Sequence, residues 1–178
     1  RLMREKGIEE LFCAVRRLWT EGFHVHLQLL GFFEEQYRQE VDRLVADGMT
    51  EFYGFQKEPL PFYQNCDCVV LPSYHEGMSN VLLEAAPVGR PIIASDIPGC
   101  REAVEHSKTG LLCRAKDANS LYVAMRAFLA LSAEQKAALG QNGRRKMERE
   151  FDKASVVAET LRIVTAEKAA PQPRRVTA

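Results

Sequence analysis

Two apolar runs, Cys68-Val69-Val70-Leu71 and Pro91-Ile92-Ile93-Ala94-Ser95, stand either side of a short polar stretch. Runs this short and apolar read as strands. Between them a polar loop, Ser73-Tyr74-His75-Glu76-Gly77-Met78, leads into a short helix from Asn80 to Ala86, which Pro87 stops. Strand, loop, helix and strand form a βαβ unit, which needs a parallel sheet. Ligands of such sheets bind beyond the carboxyl ends of the strands. The loop from Ser73 to Met78 therefore lies at the binding edge.

The residues of that edge suit an anion. Gly77 lets the backbone approach a ligand closely. Ser79 or Asn80 can cap the helix. The first helical N–H groups, those of Ser79, Asn80 and Val81, are orphan donors at the positive end of the helix dipole, where a phosphate fits. Glu76 precedes this terminus, and Glu84 sits about a turn inside the helix. Carboxylates flanking a phosphate-ready terminus point to a ligand with both phosphates and hydroxyls. The plain alternative is two solvated glutamates on a surface helix.

Glu76 and Glu84, with seven residues between them, match the E-x7-E motif of retaining GT-B glycosyltransferases. With the following Gly-x-Pro, the strand and Asp96-Ile97-Pro98-Gly99-Cys100-Arg101-Glu102, the stretch resembles glycosyltransferase family four. The subset it most resembles builds bacterial surface polysaccharides. The likeness spans about residues 1 to 165. It implies that this is the C-terminal, donor-binding half of a GT-B fold, with an N-terminal half absent that would supply most acceptor contacts.

The resemblance also implies roles. Arg1 and Lys6 match the family's diphosphate clamp, with Lys6-Gly7 opening a helix; the alternative is a solvated basic tail. Glu76 would sit by the donor sugar, helped by the Gly77 and Met78 backbone. Glu84 would take the ribose hydroxyls. Gly54, Phe55 and Gln56 are the base-contact candidates, although Phe55 could equally be a core aromatic. The family has a small residue soon after Gly31 where this chain has Phe32-Phe33. Cations and helix-end amides take the place of a metal, so no metal or other cofactor is expected. The implied reaction moves a sugar with retention from a nucleoside-diphosphate sugar, uridine favoured, to a glycan or lipid-linked acceptor. The glutamates are not a glycosidase pair, which would face the scissile bond from both sides.

The rest of the chain fits a doubly wound, Rossmann-like parallel α/β sheet. Ile8, Leu11, Phe12, Val15 and Leu18 share one helical face over Ile8 to Glu21, which Gly22 ends. His24 to Leu30 alternates as a strand. Glu35 to Asp47 is amphipathic, with Tyr37, Val41, Leu44 and Val45 inward. Thr50 to Phe55 is a strand and Pro59 to Cys66 a brief helix. Cys100 to Val104 makes a short helix, and Asp96 and Glu102 hold loops. Thr109 to Cys113 is a last strand. Asp117 caps a helix with Leu121, Met125, Phe128 and Leu129 inside. Ser132-x-x-Gln135 reads as a capping box. Asn142-Gly143-Arg144-Arg145-Lys146 is read as solvated charge. Phe151 to Glu167 reads as a final helix and Lys168 to Ala178 as a disordered tail, leaving one domain over residues 1 to 167.

Composition excludes some classes. Lys plus Arg and Asp plus Glu both number 24, so no global charge favours nucleic acid or bulk attachment to an acidic membrane. No apolar run reaches transmembrane length, and no signal peptide is visible. The five cysteines make no metal or redox spacing, and the core-thiol reading, Cys13 included, fits a reducing cytoplasm. The inner face of the membrane remains open to the full-length protein. No GxGxxG or P-loop pattern is present, which counts against NAD and P-loop nucleotide sites. No flavin loop or receiver aspartate cluster is visible either. The alternative to an enzyme domain is a non-catalytic nucleotide-binding or interaction module.

Overall fold

A computed structural model of the chain describes residues 1–151 and Arg162. A 3-10 turn, Arg4–Lys6, leads into α1 (Ile8–Thr20), β1 (Leu27–Leu30), α2 (Arg38–Ala46), β2 (Thr50–Gly54), α3 (Leu60–Asn65) and β3 (Val69–Leu71). Then follow α4 (Asn80–Ala85), β4 (Ile92–Ser95), α5 (Pro98–Arg101), β5 (Gly110–Cys113), α6 (Ala118–Ala130) and α7 (Ala133–Glu150).

Every strand pairing is parallel, as the alternation of strands and helices requires. The ladders fall into two pieces, β1 beside β2, and β3-β4-β5 with β4 central. No ladder joins β1 to β3 among the described residues. Their carboxyl ends are tied instead by the first residues of the chain. Leu2 pairs in parallel with Phe33, just past β1, and its N–H donates to the Phe32 carbonyl at 2.7 Å. The Glu5 carbonyl accepts from the Tyr74 N–H, just past β3, at 2.8 Å.

Successive side chains of β4 point to opposite faces, and each face has its own core. Ile93 joins Phe12, Leu18, Leu44 and Leu121 from α1, α2 and α6. Ile92 and Ala94 join Leu82, Cys100 and Met147 from α4, α5 and α7. Helices thus cover both faces, and all four residues of β4 are buried. The apolar stripe of α1 is buried at Ile8, Leu11, Phe12, Val15 and Leu18, as its periodicity requires. Pro87 lies two residues past the last helical residue of α4. Asp117 accepts from the Ser120 N–H at 2.8 Å, and the capping box at Ser132 and Gln135 forms in full.

Several local expectations are corrected. β1 begins at Leu27 rather than His24, because the preceding residues fold back on α1: the Trp19 indole N–H donates to the Val25 carbonyl at 2.6 Å. α2 begins at Arg38 rather than Glu35, and Val45 is 43% exposed, one position round from buried Leu44. The short helix after β4 is Pro98–Arg101, since proline suits a first helical position. Cys13 is exposed, on the outward side of α1, while Cys100 and Cys113 are buried. Lys146 is buried rather than solvated, at 8% exposure. Apart from Phe151 and Arg162, the expected final helix and the tail lie outside the described residues.

Candidate functional site

The loops that follow β1 and β3 gather around the segment Arg1–Gly7 at the carboxyl ends of the strands, and the end of β2 joins them through Gly31. Gly7 makes this possible. Its backbone is left-handed (φ +67°), and a Cβ there would stand 2.1 Å from the Pro72 carbonyl oxygen. The turn between Lys6 and α1 therefore packs directly on the end of β3.

That packing brings Lys6 to Glu76. The ammonium donates to Glu76 Oε1 at 2.7 Å, and the side chains are 28% and 12% exposed. A partly buried ion pair at the strand ends is the chemical centre of this edge. Both residues were expected at the site, on diphosphate and sugar respectively. Their direct contact was not expected. Arg1 reaches away to Glu34, with Nη1 to Oε1 at 3.1 Å, so the two cations expected to act together pair with different carboxylates. Behind Glu76 lies Cys100, whose thiol burial pushes up to about 12, with the Glu76 charge adding to the effect.

Beyond Glu76 the chain rises into α4. Ser79 takes the cap position in extended conformation, but its side chain makes no capping hydrogen bond, contrary to expectation, and Asn80 is already helical. The Ser79 carbonyl accepts from the N–H groups of Leu82 and Leu83 at 3.1 and 3.0 Å. The N–H groups of Ser79, Asn80 and Val81 have no protein acceptor among the described residues. Gly77 and Met78 are exposed. A Cβ on Gly77 would meet nothing within 4 Å, so the space above it is open. The crowded glycine is Gly99, where a Cβ would lie 1.8 Å from the Gly77 carbonyl oxygen and 2.5 Å from that of Glu76. The start of α5 thus supports the loop from beneath.

Glu84 is exposed on α4, and its Oε2 accepts from the Tyr63 hydroxyl of α3 at 3.1 Å. Burial, with the Glu84 charge beside it, raises the Tyr63 hydroxyl above its usual value, so it remains a donor at neutral pH. Gly54 ends β2 at φ +66°, and its carbonyl accepts from the Gly31 N–H at 2.7 Å. Phe55 is 68% exposed, which removes the core-aromatic alternative, and its ring lies 6.4 Å from that of Phe32. The Gln56 amide turns back to the Tyr53 carbonyl at 2.6 Å. Asp96 holds its loop through Arg101 at 2.5 Å, as expected, whereas Glu102 has no side-chain partner among the described residues.

Sequence reasoning missed Glu34, Tyr63 and the support given by Gly99. The Pro-Gly pair after β4 was the available signal for Gly99. No spacing marks Tyr63 or Glu34, which reach the site only through packing. The arrangement offers two cation-carboxylate pairs, free amides, an outer carboxylate and an exposed aromatic face, a set able to hold phosphates, hydroxyls and a planar ring.

Comparison with known proteins gives a consistent picture. Residues 1–130 match the family described as glycosyl transferases group 1. The chain is similar to the capsular polysaccharide biosynthesis glycosyltransferase CapM of Staphylococcus aureus, 26% identical over 85% of this chain and 40% of that protein. It is similar to glycogen synthase of Mycobacterium tuberculosis, 31% identical over 98% of this chain and 44% of that protein. The chain spans less than half the length of these relatives. In fold it resembles Anabaena Alr3699/HepE, solved in complex with UDP, with a TM-score of 0.82 over 93% of this chain and 47% of that one at 24% identity.

Proposed function

Since the chain belongs to the group 1 glycosyl transferases, with a Rossmann-like fold of the GT-B kind, we propose that it is the donor-binding domain of a retaining glycosyltransferase. Its donor is a nucleoside-diphosphate sugar, UDP-linked, and its acceptor a glycan or lipid-linked acceptor in polysaccharide assembly on the cytoplasmic side of the membrane. The acceptor is met largely by a facing domain. The observation that carries this reading is the Lys6–Glu76 pair, set at the strand ends beside the unpaired amides of Ser79, Asn80 and Val81.

Lys6 binds the diphosphate and offsets charge developing on the leaving group. Arg1, exposed and paired with Glu34, swings to the same phosphates as the second cation. The Ser79, Asn80 and Val81 amides add donors to the phosphate oxygens. With Lys6 drawn to phosphate, Glu76 turns its carboxylate to the sugar hydroxyls, beside the Gly77 and Met78 backbone. Glu84 accepts from the ribose hydroxyls, steadied by Tyr63. The base lies over Gly54, Phe55 and Gln56. HepE's UDP complex supports the reading by likeness of fold.

Calorimetric titration with UDP and with GDP, without added metal, tests this. UDP binds at micromolar to millimolar affinity and more tightly than GDP. Glu84→Ala and Lys6→Ala each weaken UDP binding about tenfold, the worth of a hydrogen bond to a charged group. Affinity unchanged in both variants would sink the assignment.

A further inference from the structure

The basic stretch on α7 is not part of the donor edge. Asn142, Arg145, Lys146 and Arg149 recur at helical spacing, so they share one face of the helix. With Glu105, Lys108 and Thr109 they line a cavity of ≈ 280 Å³. Thr109 immediately precedes β5, so the cavity opens at the amino ends of the strands, away from Glu76.

Charge does not balance around it. Lys146 is paired with Glu105 at 3.3 Å and Glu150 at 2.5 Å, Arg149 with Glu150 at 2.5 Å, and Lys108 with Glu105 at 3.4 Å. Among the described residues two carboxylates thus serve three cations. Among the described residues Arg145, the fourth, has no carboxylate partner, and its one polar contact there is the Asn142 amide oxygen at 3.5 Å. The walls are also fixed in place. The Asn142 amide donates to the Lys108 carbonyl at 3.1 Å, tying the helix to the turn, and the Glu105 N–H donates to the Thr109 hydroxyl at 2.8 Å. A cavity with surplus positive charge, two guanidinium groups and a hydroxyl on rigid elements suits a phosphate, since planar guanidinium groups pair with its oxygens.

We propose that this cavity is a second anion site, taking the phosphate of a small phosphorylated ligand or of a lipid headgroup, with Arg145 as its principal contact. This assignment does not depend on the donor-site reading. It is tested by amide chemical shifts during titration of the full chain with inorganic phosphate. Residues 105–109 and 142–149 shift saturably, and Arg145→Gln weakens that response about tenfold, the worth of one charge-assisted contact. Thermal unfolding of the variant, unchanged from wild type, shows that the fold is intact. Any phosphate response at 79–81 persists in Arg145→Gln, which separates the two sites. Co-sedimentation with phosphatidylglycerol vesicles, compared with phosphatidylcholine, distinguishes the sources. Arg145-dependent binding to the anionic vesicles identifies a lipid headgroup, and its absence beside the soluble response identifies a free phosphate. If neither response depends on Arg145, the proposal is overturned.

Discussion

Lys6 and Glu76 lie 70 positions apart in the chain, yet their side chains meet at 2.7 Å. Removing one partner strands the other in a partly water-excluded place. Lys6→Met is expected to lower stability by about 1–3 kcal/mol, the penalty for an unsatisfied charged group. Lys6→Met with Glu76→Gln should recover part of this, with a coupling of about 0.5–3 kcal/mol. Urea unfolding of the wild type, both single variants and the double variant measures it. Strict additivity would mean the pair contributes nothing. Tyr63 acts one step further out, on Glu84. Tyr63→Phe removes only the hydroxyl, so UDP affinity should fall a few-fold while Lys6→Ala retains its full effect in that background. The E-x7-E spacing pointed to Glu76 and Glu84 as site residues, and the family resemblance pointed to Lys6. Tyr63 and Glu34 could not be found that way, because neither lies in a motif and each acts by reaching across from another element.

Glycines show how elements seat one another. The motif drew attention to Gly77, but a Cβ there meets open space, whereas at Gly99 it would strike the Gly77 carbonyl oxygen at 1.8 Å. Gly77→Ala is therefore expected to leave stability within about 0.5 kcal/mol, as surface substitutions usually do. Gly99→Ala must push the loop off α5 and displace Glu76. It should weaken UDP binding more than it lowers thermal stability, and calorimetry beside thermal unfolding distinguishes the two effects. On the same face of β4, a Cβ on Gly140 would come 1.9 Å from the Gly89 carbonyl oxygen, so α7 rests directly on the turn between α4 and β4. Gly140→Ala should cost about 1–3 kcal/mol by overpacking, read from chemical denaturation, with UDP affinity little changed. Helix periods were legible because they are local. The contact between two glycine-bearing elements was not, because it depends on how closely backbones approach.

At the scale of the whole molecule, cations hold carboxylates low across the surface. Arg101 does so for Asp96, and Lys146 foremost for both Glu105 and Glu150. The Ser120 N–H does the same for Asp117 at the start of α6. A carboxyl whose folded-state value is depressed adds stability above its unfolded value and loses it as pH falls through the folded one. The midpoint of thermal unfolding should thus be nearly level from neutral pH down to the ordinary glutamate value of 4.5 and fall below it. A midpoint that stays level well below that value would contradict these pairings. By itself the sequence determined the order of strands and helices, their parallel sense and the loop at the ligand edge, since side-chain period, proline and cap residues act within a few positions. Only the tertiary structure decided that the ladders form two pieces tied by Leu2 and Glu5, that Lys6 meets Glu76 while Arg1 meets Glu34, and that Lys146 is buried while Cys13 is not. Those outcomes depend on which distant backbones approach within a few ångströms, and no local pattern in a chain encodes that distance.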